Sequence, residues 1–329
     1  MMLATLTMLA PLMAPAALAT SARPSLLDAI MTSSQPDAPM HVLILGGAAD
    51  ARALMRALQT QTDLPLSVTL SLAGRTRNPP PPLAGPVAVN QRVGGFGGVG
   101  GLAAFIRDQR VACIVNATHP FAARMAANAV EAAALTGTPL LRLVRPAWAP
   151  GPGDDWRHVA DITAAVAALG EVPRRVFLTI GRQNLAAFMA APQHAYLART
   201  IEAADAGVRL PHVAWLQARG PFSLDDEKQL LIDHRIDLLV TKNSGGDDAA
   251  AKLAAARALG VPVVMVDRPA SPGGGLTTPS SAEALAWLRQ IWLGRMAGHA
   301  HDGEPCGSEP SDSEPWVTSG PAPVAERGA

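Results

Sequence analysis

The chain has 329 residues, enough for two domains that each bury a hydrophobic core of their own. Its formal net charge is zero and its 27 basic residues form no run, so its bulk electrostatics give no indication of nucleic-acid binding. Its two cysteines, Cys113 in an apolar run and Cys306 in a polar segment, exclude a thiolate metal site and argue against a disulfide framework. We expect no bound metal.

The first 39 residues differ from the rest of the chain. Residues 1–22 are apolar and resemble a signal peptide, with Ala-Leu-Ala near Ala19. They contain no Lys or Arg, two prolines interrupt them, and they are too short and broken to span a bilayer. We therefore expect residues 1–39 to be a disordered extension of a cytoplasmic protein that does not enter a membrane, with export as the alternative.

From residue 40 onward, short β-branched or leucine-rich runs alternate with alanine-rich stretches, which is the pattern of βαβ units around a parallel sheet. The predicted strands are 41–45, 66–70, 86–90, 112–116, 139–143, 157–160, 175–179, 195–199, 213–216, 237–241 and 262–266. The predicted helices are 49–60, 99–109, 120–136, 161–169, 182–190, 222–234, 247–259 and 281–294. We predict an α/β fold with two Rossmann-like domains, parallel sheets and an active-site cleft between the domains.

Chain breakers indicate where the domains meet. The densest cluster of prolines and glycines lies at 146–155, so we expect a first domain at 40–148 and a second at 149–296. A last helix that crosses back to the first domain is the alternative. The segment 297–329 is rich in Gly, Ser, Pro, Asp and Glu, and we expect it to be a disordered tail.

The first predicted strand runs into Gly46-Gly47-Ala48, which opens the first helix. Glycines at such a turn let the backbone approach a ligand, and the start of a helix presents N–H groups to phosphate. The segment is not a full G-x-G-x-x-G, so a tight turn without a ligand is the alternative.

The second predicted strand ends in Ser71-Leu-Ala-Gly74-Arg75-Thr-Arg77. In a dinucleotide-binding fold this position meets the adenosine ribose, where an acidic residue favours NAD and arginine accommodates the 2′-phosphate of NADP. Arg75 and Arg77 without an acid therefore predict NADPH as the cofactor. A solvated pair of arginines on a loop is the alternative.

Two further loops precede helices in the first half. The segment 92–101 holds six glycines in ten residues, a density that favours either backbone packed against a ligand or a flexible hinge. The fourth strand leads into Thr118-His119-Pro120, a good helix start at the carboxyl end of a parallel strand. Ligands bind at that edge of α/β sheets, so His119 is either catalytic or structural.

The second half places a cation after each of three strands, in the segments 179–182, 219–222 and 241–246. Arginine and lysine side chains that converge at one edge of a sheet suit carboxylates or phosphates. Each segment alone is also compatible with an ordinary capping loop.

Taken in order over about 40–293, these motifs resemble precorrin-6A reductases and their cobalt-precorrin counterparts of the two cobalamin pathways. The resemblance is carried by Leu45-Gly46-Gly47, Ser71-Leu-Ala-Gly-Arg75, Arg92-Val-Gly-Gly-Phe-Gly-Gly98, Ala117-Thr-His-Pro-Phe-Ala122, Leu141-Arg-Leu-Val-Arg-Pro146, Gly181-Arg182, Arg219-Gly-Pro-Phe222, Lys242-Asn-Ser-Gly-Gly246 and Gly260-Val-Pro-Val-Val-Met-Val266. The family usually has threonine where this chain has Ala48, which removes a hydroxyl from the glycine turn.

The resemblance implies NADPH-dependent reduction of one double bond of a polycarboxylate tetrapyrrole, with NADPH in the first domain and substrate in the second. It also implies neighbouring cobalamin-pathway enzymes as possible partners. His119 or a water supplies the proton. The implied cofactor-binding residues are Gly46, Gly47, Ala48, Ser71, Gly74, Arg75, Arg77, Gly94, Gly95 and Thr118. The implied substrate-binding residues are Arg142, Arg145, Arg182, Arg219, Lys242, Asn243 and Ser244.

Two rival functions fit the same outline. A periplasmic ligand-binding protein also has two α/β lobes, a cleft and a leader-like N-terminus, but it does not need the arginines after the second strand. An NADP-dependent reductase of another anionic substrate is the second rival, because a fold does not fix a function.

Overall fold

A computed structural model of the protein describes residues 39–74, 81, 83–202 and 208–301. Residues 1–38 of the expected extension at 1–39 therefore lie outside the described residues, as do Arg75 and Arg77. The expected tail differs at its start, because the last helix continues through residue 301 instead of ending before 297.

The first sheet has six parallel strands around a point where the strand order reverses. These are β1 (Met40–Leu45), β2 (Leu66–Leu72), β3 (Ala88–Val93), β4 (Cys113–Asn116), β5 (Leu140–Leu143) and β12 (Leu276–Thr278). Their spatial order is β12-β5-β4-β1-β2-β3, which places the reversal between β1 and β4. Open α/β sheets bind ligands beyond the carboxyl ends of the strands at this point.

Helices cover both faces of this sheet. They are α1 (Ala49–Leu58), α2 (Gly98–Asp108), α3 (Ala123–Thr136) and α7 (Ser281–His301). Successive residues of a strand point to opposite faces, so Ile44 packs with Leu54 and Leu288 in one core, while Leu43 packs with Leu102 in another. Burial on both faces explains why these strands read as continuous apolar runs.

The second sheet repeats the arrangement. Its strands are β6 (Trp156–Val159), β7 (Arg175–Thr179), β8 (Ala195–Thr200), β9 (Val213–Gln217), β10 (Leu238–Lys242) and β11 (Val263–Val266), in the order β6-β11-β10-β7-β8-β9. The α-helices are α4 (Ile162–Ala167), α5 (Leu224–Asp233) and α6 (Ala251–Leu259). Two 3₁₀ helices lie at Arg182–Ala190, after β7, and at Asp247–Ala249, before α6. The reversal here lies between β7 and β10.

The chain crosses between the sheets twice. It leaves the first sheet after β5 and returns after β11, so that β12 pairs with β5 and α7 packs against α1. The predicted second domain at 149–296 therefore extends too far, because β12 belongs to the first sheet and α7 packs against that sheet. The predicted α/β class with two parallel sheets is confirmed.

The second half of the chain contains a cluster of buried charged side chains. The guanidinium of Arg199 donates to both carboxylate oxygens of Glu227, at 2.5 and 2.6 Å, and lies 4.1 Å from the ring centre of Phe222. The ammonium of Lys252 donates to the Ala249 carbonyl at 2.6 Å and lies 4.7 Å from the ring centre of Trp148. The cluster thus buries two basic side chains with one carboxylate.

Lys252 makes stability depend on pH. Burial, followed by the positive charge of Arg199, lowers the pKa of Lys252 from 10.5 to about 7, and Glu227 opposes that shift. Between these two pH values the unfolded chain binds a proton that the folded chain has lost, so stability rises with pH, by about 1 kcal/mol per pH unit at most. We expect Lys252→Met to remove most of this rise.

The measurement is the free energy of unfolding in urea at pH 7 and pH 9 for the wild type, Lys252→Met and the control Lys228→Met. Lys228 lies on α5 and is only partly buried, so its replacement should leave the rise in place. An identical pH dependence in wild type and Lys252→Met would contradict the prediction.

Candidate active site at the carboxyl ends of the two sheets

The turn after β1 lies where the strand order of the first sheet reverses. The Gly46 amide donates to the Ser71 carbonyl at 2.8 Å, and a Cβ on Gly46 would lie 2.8 Å from Leu70 Cδ1. Gly47 has φ +115°, and a Cβ there would have no atom within 4 Å. Gly46 therefore packs closely against the side chain of Leu70, while Gly47 combines a left-handed backbone with open space beside it.

The helix that follows begins without a side-chain cap. Ala48 is the N-cap of α1, is extended, and makes no side-chain hydrogen bond to the first turn. A helix start leaves several N–H groups without helical acceptors, and these groups suit an anion. Ala48 thus leaves the first turn of α1 without a side-chain cap.

The end of β2 lies beside this turn. Ser71 is buried and lies opposite Leu45 in the parallel pairing of β1 and β2. Gly74 has φ +69°, and a Cβ there would lie 3.2 Å from Val93 Cγ1. Ser71 therefore lies beside the end of β1, and Gly74 packs against the end of β3.

The glycine-rich segment forms a loop held by Arg92. Its guanidinium donates to the carbonyls of Gly94 and Gly95, at 2.8 and 2.7 Å, and lies 3.9 Å from the ring centre of Phe96. A Cβ on Gly101 would lie only 1.7 Å from the Phe96 carbonyl oxygen. These contacts account for part of the glycine density through close packing inside the loop.

His119 lines a cavity of about 170 Å³ beyond β4 and β5. The Phe121 amide donates to Nδ1 of His119 at 3.2 Å, which places the proton of a neutral ring on Nε2. Thr118 donates through its amide and its hydroxyl to Oδ1 of the buried Asn116, at 3.2 and 2.8 Å. The cavity is also lined by Arg142, Arg268 and Ser271.

Arg142 supports the wall of this cavity. The side chain is buried, one Nη donates to the Pro272 carbonyl at 2.7 Å, and the other donates to the Ser271 hydroxyl. Its Nε is buried and has no hydrogen-bond partner among the described residues. Arg142 therefore lines the same cavity as His119, and its Nη atoms bind the loop after β11.

Arg145 joins the two sheets. Nη1 lies 2.9 Å from Asp50 Oδ2 at the start of α1, and Nε donates to the Ser244 carbonyl at 2.8 Å. Arg268 completes the junction by donating to four backbone carbonyls at 2.8 to 3.0 Å. Those carbonyls belong to Arg145, Pro146, Asn243 and Ser244.

Asn243 and Ser244 are part of the same junction. The Asn243 side chain accepts from the Trp148 amide at 2.8 Å and donates to the Trp148 carbonyl at 3.0 Å. The Ser244 hydroxyl donates to the Lys242 carbonyl at 3.2 Å. A Cβ on Gly245 would lie 2.0 Å from the Pro146 carbonyl oxygen, so only glycine fits where the two segments meet.

The remaining predicted cations, Lys242, Arg182 and Arg219, have different surroundings. Lys242 ends β10, and its ammonium lies 4.9 Å from the ring centre of Phe121, which follows His119. Arg182 Nη1 lies 3.8 Å from Glu202 Oε2 after β7, and Arg219 is exposed. The structure therefore brings Lys242 next to the His119 segment, whereas Arg182 follows β7 and lies beside Glu202.

Sequence reasoning missed Arg268. It follows β11 by two residues and thus had the same signal as Lys242, a cation at the carboxyl end of a predicted strand. It also missed Arg199 and Glu227, whose pairing leaves no pattern in the sequence. No group of three or more potential metal ligands occurs in the described ranges, and no helix there is long and apolar enough to cross a membrane.

Comparison with known proteins identifies relatives along nearly all of the described chain. The family model for precorrin-6x reductase CbiJ/CobK matches residues 41–289. A precorrin-6A reductase of Rhodococcus erythropolis is 47% identical over 249 residues, covering 75% of this chain and 97% of the relative. A cobalt-precorrin-6A reductase of Salmonella typhimurium is 28% identical over 264 residues, covering 77% and 96%. The solved structure of CobK precorrin-6A reductase has a TM-score of 0.70 and 43% identity, covering 77% of this chain and 97% of that one.

Proposed function

The chain belongs to the precorrin-6x reductase family CbiJ/CobK, and we propose that it reduces metal-free precorrin-6A with NADPH. Family membership makes it an oxidoreductase of cobalamin biosynthesis that acts on a CH–CH group of a precorrin tetrapyrrole. The observation that carries the proposal is the span of the match, 41–289, which includes strands of both sheets and all described candidate residues. Neither rival function accounts for a match of that length.

The choice of the metal-free macrocycle is supported by the identities. The relatives named precorrin-6A reductase from Rhodococcus erythropolis and Mycobacterium tuberculosis are 47% and 44% identical to this chain. Those named cobalt-precorrin-6A reductase from Salmonella typhimurium and Methanothermobacter thermautotrophicus are 28% and 27% identical. We also propose a cytoplasmic location, because NADPH is a cytoplasmic metabolite.

The residues at the first reversal point fit a dinucleotide. Gly47 leaves open space beside a backbone of positive φ, and the first turn of α1 has no side-chain cap. In our proposal this turn holds the pyrophosphate, Ser71 and Gly74 face the ribose, and Gly94, Gly95 and Thr118 border the rest of the cofactor. The bound cofactor would supply a hydride to one ring carbon of the substrate.

His119 is the proposed proton donor. The Phe121 amide fixes Nδ1 as an acceptor, so Nε2 is the ring atom that carries a transferable proton. The ring lines the cavity at the end of β4, on the same edge of the sheet as the proposed cofactor turn. Transfer of the Nε2 proton to the neighbouring ring carbon, with a proton from water returned to the ring so that it stays neutral, would complete the reduction.

Cations of the second sheet are the proposed partners of the acetate and propionate arms. Lys242 is the best placed, because its ammonium lies over the ring of Phe121 next to His119. Arg182 and Arg219 are proposed for arms that extend further across the second sheet. Arg142, Arg145, Asn243 and Ser244 would shape this surface through their internal contacts.

Arg75 and Arg77 are proposed to bind the 2′-phosphate. We expect Arg75→Ala/Arg77→Ala to weaken NADPH about 10- to 100-fold and NADH less than about threefold, because only NADPH carries that phosphate. The measurement is the Kd of each nucleotide by fluorescence titration of the full chain, with Arg209→Ala as the control. Equal losses for both nucleotides would refute the assignment, and a wild type that binds neither would refute the proposed cofactor.

A further inference from the structure

A carboxylate stands where the proposed cofactor needs positive charge. Asp50 is the second residue of α1, directly after the turn formed by Gly46, Gly47 and Ala48. A negative side chain in the first turn is favourable for the helix itself, but it repels a phosphate that approaches the same helix end. Asp50 therefore opposes the proposed pyrophosphate unless another group neutralises it.

Arg145 provides that neutralisation. Its Nη1 lies 2.9 Å from Asp50 Oδ2, and the two side chains are only 14% and 16% exposed. Low exposure limits screening of the pair by water and salt. Asp50 also interacts with Arg268. Burial and the charge of Arg145 lower the pKa of Arg268, and the charge of Asp50 partly opposes that shift. Two guanidiniums and one carboxylate leave this group with a net positive charge.

The same guanidinium reaches the second sheet. Arg145 Nε donates to the Ser244 carbonyl, and Arg268 binds the carbonyls of Arg145 and Ser244 together, at 2.9 Å each. A Cβ on Gly246 would lie 2.9 Å from Arg145 Cδ, so the loop after β10 is shaped to receive this side chain. Asp50 is thus connected through one side chain to the loop that follows Lys242.

We propose that Arg145 is a positioning residue, which neutralises Asp50 so that the cofactor can bind and which fixes the cofactor turn relative to the Lys242–Ser244 loop. The inference rests on the proposed NADPH site and deepens it. It gives Arg145 a role different from direct contact with a substrate arm.

The test separates the charge effect from the connecting effect with three full-length variants: Arg145→Met, Asp50→Asn and Asp50→Asn/Arg145→Met. We expect Arg145→Met to weaken NADPH about five- to tenfold, because it leaves Asp50 uncompensated. Asp50→Asn and the double variant should bind NADPH within about twofold of wild type. The double variant should still show a kcat reduced about tenfold, because the contact with Ser244 stays lost.

Arg289→Met is the matched control. It removes an arginine of α7 that binds Asp63, which precedes the amino end of β2. This change should alter neither NADPH affinity nor kcat by more than about twofold. Recovery of affinity in the double variant excludes simple misfolding, since that variant also lacks Arg145. Unchanged affinity in Arg145→Met, or no recovery in the double variant, would overturn the inference. A wild type that does not bind NADPH would refute the proposed function first, and this inference with it.

Discussion

Replacement of His119 by asparagine is expected to lower kcat by about 10²- to 10⁴-fold, the range for loss of a positioned general acid. The Asn Oδ1 can replace Nδ1 as acceptor for the Phe121 amide, so the start of the following segment keeps its hydrogen bond. What the variant lacks is the proton on Nε2. We expect the KM for NADPH to stay within about twofold, because the ring acts in proton transfer and not in cofactor binding. Steady-state NADPH oxidation measures both constants.

His158→Asn is the matched control for this experiment. His158 lies on β6 of the second sheet, is 40% exposed, and pairs through Nδ1 with Asp267 at 2.7 Å. Its replacement should leave kcat within about twofold. If His119→Asn kept more than a third of the wild-type kcat, water or another group would be the proton donor.

Replacement of Glu227 by glutamine should lower the free energy of unfolding by about 3 to 5 kcal/mol, the cost of leaving a buried charge without its partner. Glu227 and Arg199 are 3% and 7% exposed, and glutamine keeps the shape of the side chain while removing its charge. Arg199 would then be buried beside Lys252 without a carboxylate. Urea unfolding of the full chain measures the loss.

An exposed pair gives the comparison. Asp63→Asn removes the charge that pairs with Arg289, and the side chains of Asp63 and Arg289 are 63% and 43% exposed, so this change should cost less than about 1 kcal/mol. The double variant Arg199→Met/Glu227→Gln should regain most of the loss, because it removes the buried charge as well as its partner. A loss below about 1 kcal/mol in Glu227→Gln would show that water compensates Arg199.

Most of the fold could be predicted because apolar runs identify buried parallel strands. Eleven strands were predicted within two residues of their observed starts, from Met40–Leu45 to Val263–Val266. The strand Leu276–Thr278 was missed, since it has three residues and its leucine is 63% exposed. The helix predicted at 182–190 is a 3₁₀ helix, in which the Asn184 side chain donates back to the Ile180 carbonyl.

The strand ends that carry the candidate residues were predicted more fully than the contacts that those residues make. Gly47 and His119 follow strands that flank a reversal of strand order, and this placement could be inferred from chain order alone. The sequence also placed Arg145 at the site, but not its pairing with Asp50, because residues 95 positions apart carry no mark of their contact. The partners of a charged side chain are fixed only when the two sheets meet.

The most direct test of the proposed function is the reaction of the full chain with precorrin-6A and, separately, its cobalt form, in the presence of NADPH labelled with deuterium at C4 of the nicotinamide. We expect faster turnover of the metal-free substrate, with one reduced macrocycle formed per NADPH oxidised. That product should gain two hydrogens, one of which is the deuterium when the transferred position is labelled. NADPH oxidation without a change in the mass of the macrocycle, or no oxidation with either substrate, would contradict it.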